Sequence, residues 1–293
     1  MPAGGKSTVR SRRLGATLRR LRLDARLDQE HAAEAVACST AKISRIESGV
    51  VSARVGDVRV LLDLYGVEEV AERRRLEKLA RDSNKRGWWL NFPFQSNTLD
   101  RLGDFLSLET DATYIRAWQP VFIPGLLQTP DYTRALTRAN PEGITAEAAE
   151  EVVKVRQERR RVFDQSGARF AAVIWEPAIS GPMPSPTVHR DQLAHLVRTA
   201  EQPNVTLQVL PHGEWAAARV APAFVALSYA QEASPEAIVQ DTLVNSVILE
   251  DHEDMAGYVH AFDTLASAAL TPDESLAFIR KTMNSITMEN EEL

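Results

Sequence analysis

The segment from Leu27 to Gly49 limits what this chain can fold into more than any other, because it marks both ends of two short helices and the turn between them. Asp28 stands where its carboxylate can accept from the unpaired N–H groups of a first helical turn that runs on through Gln29-Glu30. Ala32, Ala33 and Val36 supply small apolar contacts, and the helix gives way at Ala37-Cys38. Ser39 is placed to cap a second helix, and Gly49 sits where a helix exits through a left-handed residue at no cost to glycine.

Within the second helix Ile43 and Ile46 share one face and are expected to point inward against the first. At about 100° per residue Ala41 and Arg45 fall opposite Ile43, with Lys42 and Ser44 on the flanks. This outward face is small, polar and basic. It suits a DNA major groove, where Arg reads guanine bidentately and small side chains permit close approach. An ordinary amphipathic helix pair has the same spacing, so the outward residue types carry the expectation.

Through Leu27-Asp28-Gln29-Glu30, Ala32-Ala33 and Lys42-Ile43-Ser44-Arg45-Ile46-Glu47-Ser48-Gly49 the chain resembles the Xre or phage-repressor family of helix-turn-helix proteins, over roughly residues 12 to 70. The resemblance implies that Gln29 contacts phosphate or base and that Thr40, Ala41 and Arg45 face bases. It also implies that Ser39, Lys42 and Ser44 contact the backbone or flanking bases, and that Arg22 pairs with Glu47. Taken alone, Arg22 equally suits a phosphate. One recognition helix reads few base pairs, so a homodimer on half-sites about 34 Å apart is expected.

Charge is divided unevenly. Residues 1 to 86 hold 19 Lys and Arg against 12 Asp and Glu, a net of +7, whereas residues 87 to 293 hold 15 against 28, a net of −13. A basic N-terminal module gains affinity by displacing counterions from phosphates, and an acidic remainder keeps its own surface off DNA. Lys6, Arg10, Arg12 and Arg13 lie in a segment rich in Gly, Ser and Thr, expected to be a flexible basic arm over residues 1–13, either following the DNA backbone or serving only as a solubilising tail.

The DNA-binding domain is expected over residues 14–70, with a first helix from Leu14 to Ala25 and a fourth capped by Asp57 and closed by Gly66 after Tyr65. A charged helix from Glu68 to Arg86 is expected to connect the domains across residues 71–86, and residues 87–293 form a C-terminal regulatory or partner-binding domain. That domain opens on Gly87-Trp88-Trp89-Leu90-Asn91-Phe92-Pro93-Phe94, an aromatic cluster suited to packing within the chain or to an interface.

The C-terminal pattern mixes periods. Ser96 to Leu99 reads as loop and Leu102 to Ala117 as helix passing into strand; helices follow at Thr145 to Gln165, Val188 to Glu201, Glu253 to Ala269 and Thr271 to Ser285. Strands are expected at Arg169 to Trp175, Val205 to Leu210, Ala223 to Ser228, Ala237 to Gln240 and Asn245 to Leu249. The expected fold class is α+β: an all-α, five-helix, lambda-repressor-like domain followed by a mixed α/β domain.

Two further phrases, Trp118-Gln119-Pro120-Val121-Phe122-Ile123-Pro124-Gly125-Leu126-Leu127-Gln128-Thr129-Pro130-Asp131-Tyr132 and Pro203-Asn204-Val205-Thr206-Leu207-Gln208-Val209-Leu210-Pro211, resemble the C-terminal domain of the actinobacterial WhiJ-like, antitoxin-like regulators. The resemblance runs from about Gly87 to Leu276 and implies control by a small partner protein encoded nearby. The chain departs from the pattern at Glu176-Pro177-Ala178-Ile179-Ser180-Gly181 and at His212-Gly213-Glu214-Trp215-Ala216, which bears on the choice of partner or ligand.

No apolar run is long enough to span a bilayer and no secretion signal opens the chain, so a cytoplasmic protein without membrane attachment is expected. Cys38, the single cysteine, excludes a disulfide framework and a cysteine-rich zinc site. His252 among Glu250, Asp251, Glu253 and Asp254 lacks the spacing of a helical zinc protease, and no phosphate-cradling loop or nucleophile elbow is present. The reading therefore assigns no catalytic residue, cofactor or metal. A small-molecule-sensing repressor, with Trp118, Trp175 and Trp215 lining a pocket, is the alternative, and an enzyme with a DNA-binding appendage the remote one.

Overall fold

In a computed structural model the chain divides into two compact units, Met1–Leu90 and Asn91–Leu293. The structure describes residues 9–83, 87–92, 96–139, 145–181, 183, 185–229, 235–241, 246–249 and 252–289.

The first unit consists of α1 (Val9–Asp24), α2 (Gln29–Ala35), α3 (Thr40–Glu47), α4 (Val55–Leu64) and α5 (Val70–Asp82), followed by a 3₁₀ turn at Trp88–Asn91. Leu14 and Leu18 of α1, Ile43 and Ile46 of α3, Val58, Leu61 and Leu62 of α4, and Leu76 and Ala80 of α5 meet in one core. Each large side chain buried there contributes roughly 1.5–3 kcal/mol, more than a helix this short gains from its own hydrogen bonds. The helix expected to connect the domains thus belongs to the core of the first unit. Trp88 and Trp89 pack edge to face, 5.8 Å apart, and Trp89 is buried. Pro93 and Phe94 of the aromatic cluster lie outside the described residues.

Three local expectations are corrected. The segment carrying Arg10, Arg12 and Arg13 is not a flexible arm but the start of α1. Arg10 is buried and donates to the Asp82 carbonyl at the end of α5 (3.4 Å), while the Ser11 hydroxyl donates to the Gly49 carbonyl (2.8 Å). These long-range partners, invisible in local composition, order the segment; Lys6 lies outside the described residues. Asp57 does not cap α4, which has Arg54 at the capping position; it sits in the first turn and takes Lys42 as its partner. Ser96 to Leu99 is helix, because Ser, Asn and Thr suit a first helical turn as well as a loop.

The second unit is a six-stranded mixed sheet with helices between its strands. Its strands are β1 (Tyr114–Gln119), β2 (Arg169–Trp175), β3 (Val205–Leu210), β4 (Phe224–Ser228), β5 (Ala237–Asp241) and β6 (Ser246–Leu249), in the spatial order β3-β2-β1-β4-β5-β6. The β1–β2 and β2–β3 pairs are parallel and the other three antiparallel. Helices α6 (Ser96–Asp111), α7 (Pro130–Arg138), α8 (Ala146–Ser166), α9 (Glu176–Ser180), α10 (Pro186–Ala200), α11 (Trp215–Ala218), α12 (His252–Ala268) and α13 (Pro272–Glu289) complete it.

Five consecutive buried residues, Phe170 to Ile174, show that β2 is covered on both faces, as parallel strands usually are. Ala171 and Val173 join Trp118, Phe224, Phe262 and Leu265 in the core under α12, while Phe170 meets Phe163 of α8. The short helices α9 and α11 were not expected. Both fall where the chain departs from the regulator pattern.

Candidate nucleic-acid interface

Asp28, at the start of α2, accepts from the amides of His31 (3.0 Å) and Glu30 (2.9 Å) and meets the His31 ring nitrogen at 2.7 Å; the amide and ring of His31, more than the Glu30 amide, hold its carboxyl below the usual carboxylate range. The turn from α2 to α3 passes through Ala37 in a left-handed conformation, φ +50°, which is strained for a residue with a Cβ. Cys38 lies in this turn, partly buried against the core. Ser39 then accepts from the Lys42 amide (3.2 Å) and starts α3.

With Ile43 and Ile46 buried, α3 turns Thr40, Ala41, Ser44 and Arg45 to the exterior. Ser39 is exposed beside them and Lys42 is half-buried. The Lys42 ammonium lies 3.1 Å from the Asp57 carboxylate at the start of α4. An ammonium has three donors, so this contact orients Lys42 without exhausting it.

Glu47, the last residue of α3, is buried and accepts three hydrogen bonds. Arg22 Nε reaches Oε1 at 2.7 Å, Arg22 Nη2 reaches Oε2 at 3.0 Å, and Gln29 Nε2 reaches Oε2 at 2.8 Å. The remaining Arg22 nitrogen, Nη1, donates to the Leu27 carbonyl (2.7 Å) and so ties down the turn before α2. Arg22, in the interior beside Glu47, is not placed to take a phosphate. Gln29, given a phosphate or base contact by the family resemblance, uses one of its two amide N–H donors to hold Glu47.

The helices also approach closely. A Cβ on Gly15 would lie 2.2 Å from the Ile46 carbonyl oxygen, and Gly49 has φ +70° with the Arg12 backbone against it. Gly15 was not singled out from sequence, although a glycine inside a helical pattern often marks a packing constraint. Tyr65 was missed too: it is buried, and its hydroxyl has no hydrogen-bond partner among the described residues. Burial, with the Glu47 carboxylate nearby, pushes its phenol up to about 12.

Of the tryptophans considered as pocket linings, Trp118 lies in the core under α12, and Trp175 and the α11 residues Ala217 and Ala218 pack against that same cluster. Trp118 is fully buried and donates to the Ala221 carbonyl (3.0 Å), Trp175 stacks on His212, and Trp215 is exposed beneath Arg219. Glu250, Asp251 and the side chains of His252 and Glu253 lie outside the described residues. No helix among the described residues is long and apolar enough to cross a membrane.

A family model described as a helix-turn-helix domain matches residues 13–76, and a model described as a domain of unknown function, DUF5753, matches residues 102–281, more than half of the chain. The chain belongs to the DUF5753 family. No curated protein and no solved structure matches it. This DUF5753 protein therefore joins a helix-turn-helix DNA-binding domain, whose second motif helix is α3, to a mixed α/β domain whose family description assigns no activity.

Proposed function

We propose that this DUF5753 protein is a cytoplasmic, sequence-specific transcriptional regulator of the Xre type that reads its operator as a homodimer and carries out no catalysis. One observation carries the reading: α3 turns Thr40, Ala41, Ser44 and Arg45 outward while its own last residue, Glu47, is clamped by Arg22 and Gln29. A groove-reading helix needs a small, polar, basic outer face and a rigid mounting, and this arrangement supplies both. In the proposal Arg45 reads a base edge, Thr40 and Ala41 allow close approach, and Ser39, Lys42 and Ser44 contact phosphates. Gln29 acts through Glu47 as a positioning residue.

The C-terminal domain is the control element in this reading, engaged by a small partner protein in an antitoxin-like pair. The order of the Trp118 to Tyr132 and Pro203 to Pro211 phrases, similar to WhiJ-like regulators, supports that assignment.

The test is binding of the purified full chain to its own upstream DNA against shuffled competitor, at two salt concentrations, with and without the product of the neighbouring small open reading frame. The proposal expects specific, salt-sensitive binding that the added protein changes. Specific binding indifferent to that protein removes the paired-regulator part. Equal affinity for operator and shuffled DNA removes the operator reading, and a monomer on the operator removes the dimer.

A further inference from the structure

The second unit gathers its exposed large apolar side chains at one end of the sheet. Among the described residues these are Val121 (62% exposed), Phe122 (49%), Trp215 (56%) and Val220 (44%). All lie on segments that leave the carboxyl ends of β1 and β3 or lead into β4. Trp118 of β1 pairs with Phe224 of β4, so the end of β1 and the start of β4 are neighbours there.

That boundary is where the strand order reverses. From β1 the chain adds β2 and then β3 on one side, then returns to place β4 on the other side of β1. In doubly wound parallel sheets ligands bind outside the carboxyl ends of the strands at such a reversal; here β4 runs antiparallel, so the carboxyl end of β1 lies beside the start of β4. A cavity of about 310 Å³ lies at this point, between Phe105 of α6, Gln119 at the end of β1 with Pro120 to Phe122 after it, and Ala223 to Val225 around the start of β4.

Its chemistry narrows the occupant. Among the described residues lining it, only Gln119 has a polar side chain and none is charged. An ionic ligand would lose its hydration without meeting a counter-charge, whereas an apolar one loses nothing. The volume is roughly twice the ~150 Å³ of an apolar cavity that takes up benzene. Volume and lining favour a small molecule over a flat protein contact.

We infer that this cavity binds a compact, uncharged, apolar molecule about the size of a bicyclic ring, with one hydrogen-bonding group directed to Gln119. The inference goes beyond the DNA-reading proposal and does not depend on it, since binding is measured without DNA. The probes are naphthalene, 2-naphthol (uncharged at neutral pH) and naphthalene-2-sulfonate, titrated against the full chain by calorimetry and ligand-observed NMR. Expected are saturable one-to-one binding of 2-naphthol, sulfonate binding at least tenfold weaker, and at least a tenfold loss for 2-naphthol in Ala223→Trp. Gln119→Leu should abolish the preference for 2-naphthol over naphthalene while retaining naphthalene. Val225→Phe fills the same space from within β4 and serves where Ala223→Trp does not fold. Absence of saturable binding in the unaltered chain overturns the site, as does sulfonate binding equal to that of 2-naphthol. So does affinity for 2-naphthol that the folded filling variants leave unchanged. A filling variant that alters only self-association, with no probe bound by the unaltered chain, overturns it in favour of a protein interface.

Discussion

Each unit contains an arginine–glutamate pair that joins two helices, buried in the first and part-buried in the second, and the two pairs serve different surfaces. In the first, Arg22 of α1 grips Glu47 of α3 with both side chains under 8% exposed, and Gln29 adds a third hydrogen bond. In the second, Arg159 of α8 grips Glu109 of α6 through two bonds of 2.7 Å and lies over the ring of Phe105, 5.0 Å from its centre. The first pair fixes a helix whose opposite face is exposed, small and basic. The second lies behind a ring that lines an uncharged cavity. Burying an ion pair brings little net stability, because desolvation offsets the attraction, so its value lies in fixing where the joined elements sit.

The largest effects should come from breaking these pairs. Glu47→Ala leaves the buried Arg22 guanidinium without its carboxylate and should cost about 3–5 kcal/mol, and Glu109→Ala, which strands the part-buried Arg159, should cost less, each read as lost hydrogen-exchange protection in its own unit. Loss spread equally over both units in either variant would remove the distinction. The apolar double variant Arg22→Met with Glu47→Leu should recover most of the stability yet bind operator DNA more weakly than the unaltered chain. Full recovery of affinity would show that the pair does not position α3.

Next in size is Arg45→Ala, expected to cost roughly 1–3 kcal/mol in operator affinity with an unchanged melting temperature. Lys42→Ala should instead weaken operator and shuffled DNA alike and flatten the salt dependence. Equal loss on both DNAs for Arg45→Ala would reject its base-reading role. Ser39→Ala removes the cap of α3 and should cost about 1 kcal/mol in unfolding free energy. A change confined to the second unit would contradict the assignment of that cap.

The smallest effect at neutral pH belongs to Tyr65→Phe, which deletes a buried hydroxyl without a hydrogen-bond partner among the described residues and should leave stability equal or slightly higher. Its pH signature is sharper. The folded-state phenol is pushed up to about 12, above the unfolded value of about 10. Above pH 10 the unfolded chain releases this proton first. The stability contribution is therefore complete below pH 10 and is lost as pH rises towards 12. Alkaline urea titrations should show this loss diminished in Tyr65→Phe, and identical curves for both proteins would place the phenol elsewhere.

Much of this molecule is legible in its sequence. The caps at Asp28 and Ser39, the glycine exits at Gly49 and Gly66, and the inward Ile43 and Ile46 depend on neighbours within one or two turns, which is the range over which sequence speaks directly. Strands β2 and β3 match their expected limits because apolar runs bounded by turn residues are short-range signals as well. The order of Arg10, Arg12 and Arg13 was not legible, since the acceptor of Arg10 is 72 residues away. Nor was the reach of Lys42 to Asp57 across to the next helix.

By itself the sequence determined two chemically distinct halves, the helix-turn-helix with its outward Arg45, and the succession of helices and strands that follows. These rest on composition, periodicity and capping, all local properties of the chain. Tertiary structure alone decided that α5 completes the first core, that Gln29 holds Glu47, that Arg159 meets Glu109, and that the strand order reverses beside β1. Each of these joins residues far apart in the chain, and which distant groups meet is settled only when burial of the whole core selects one packing among many.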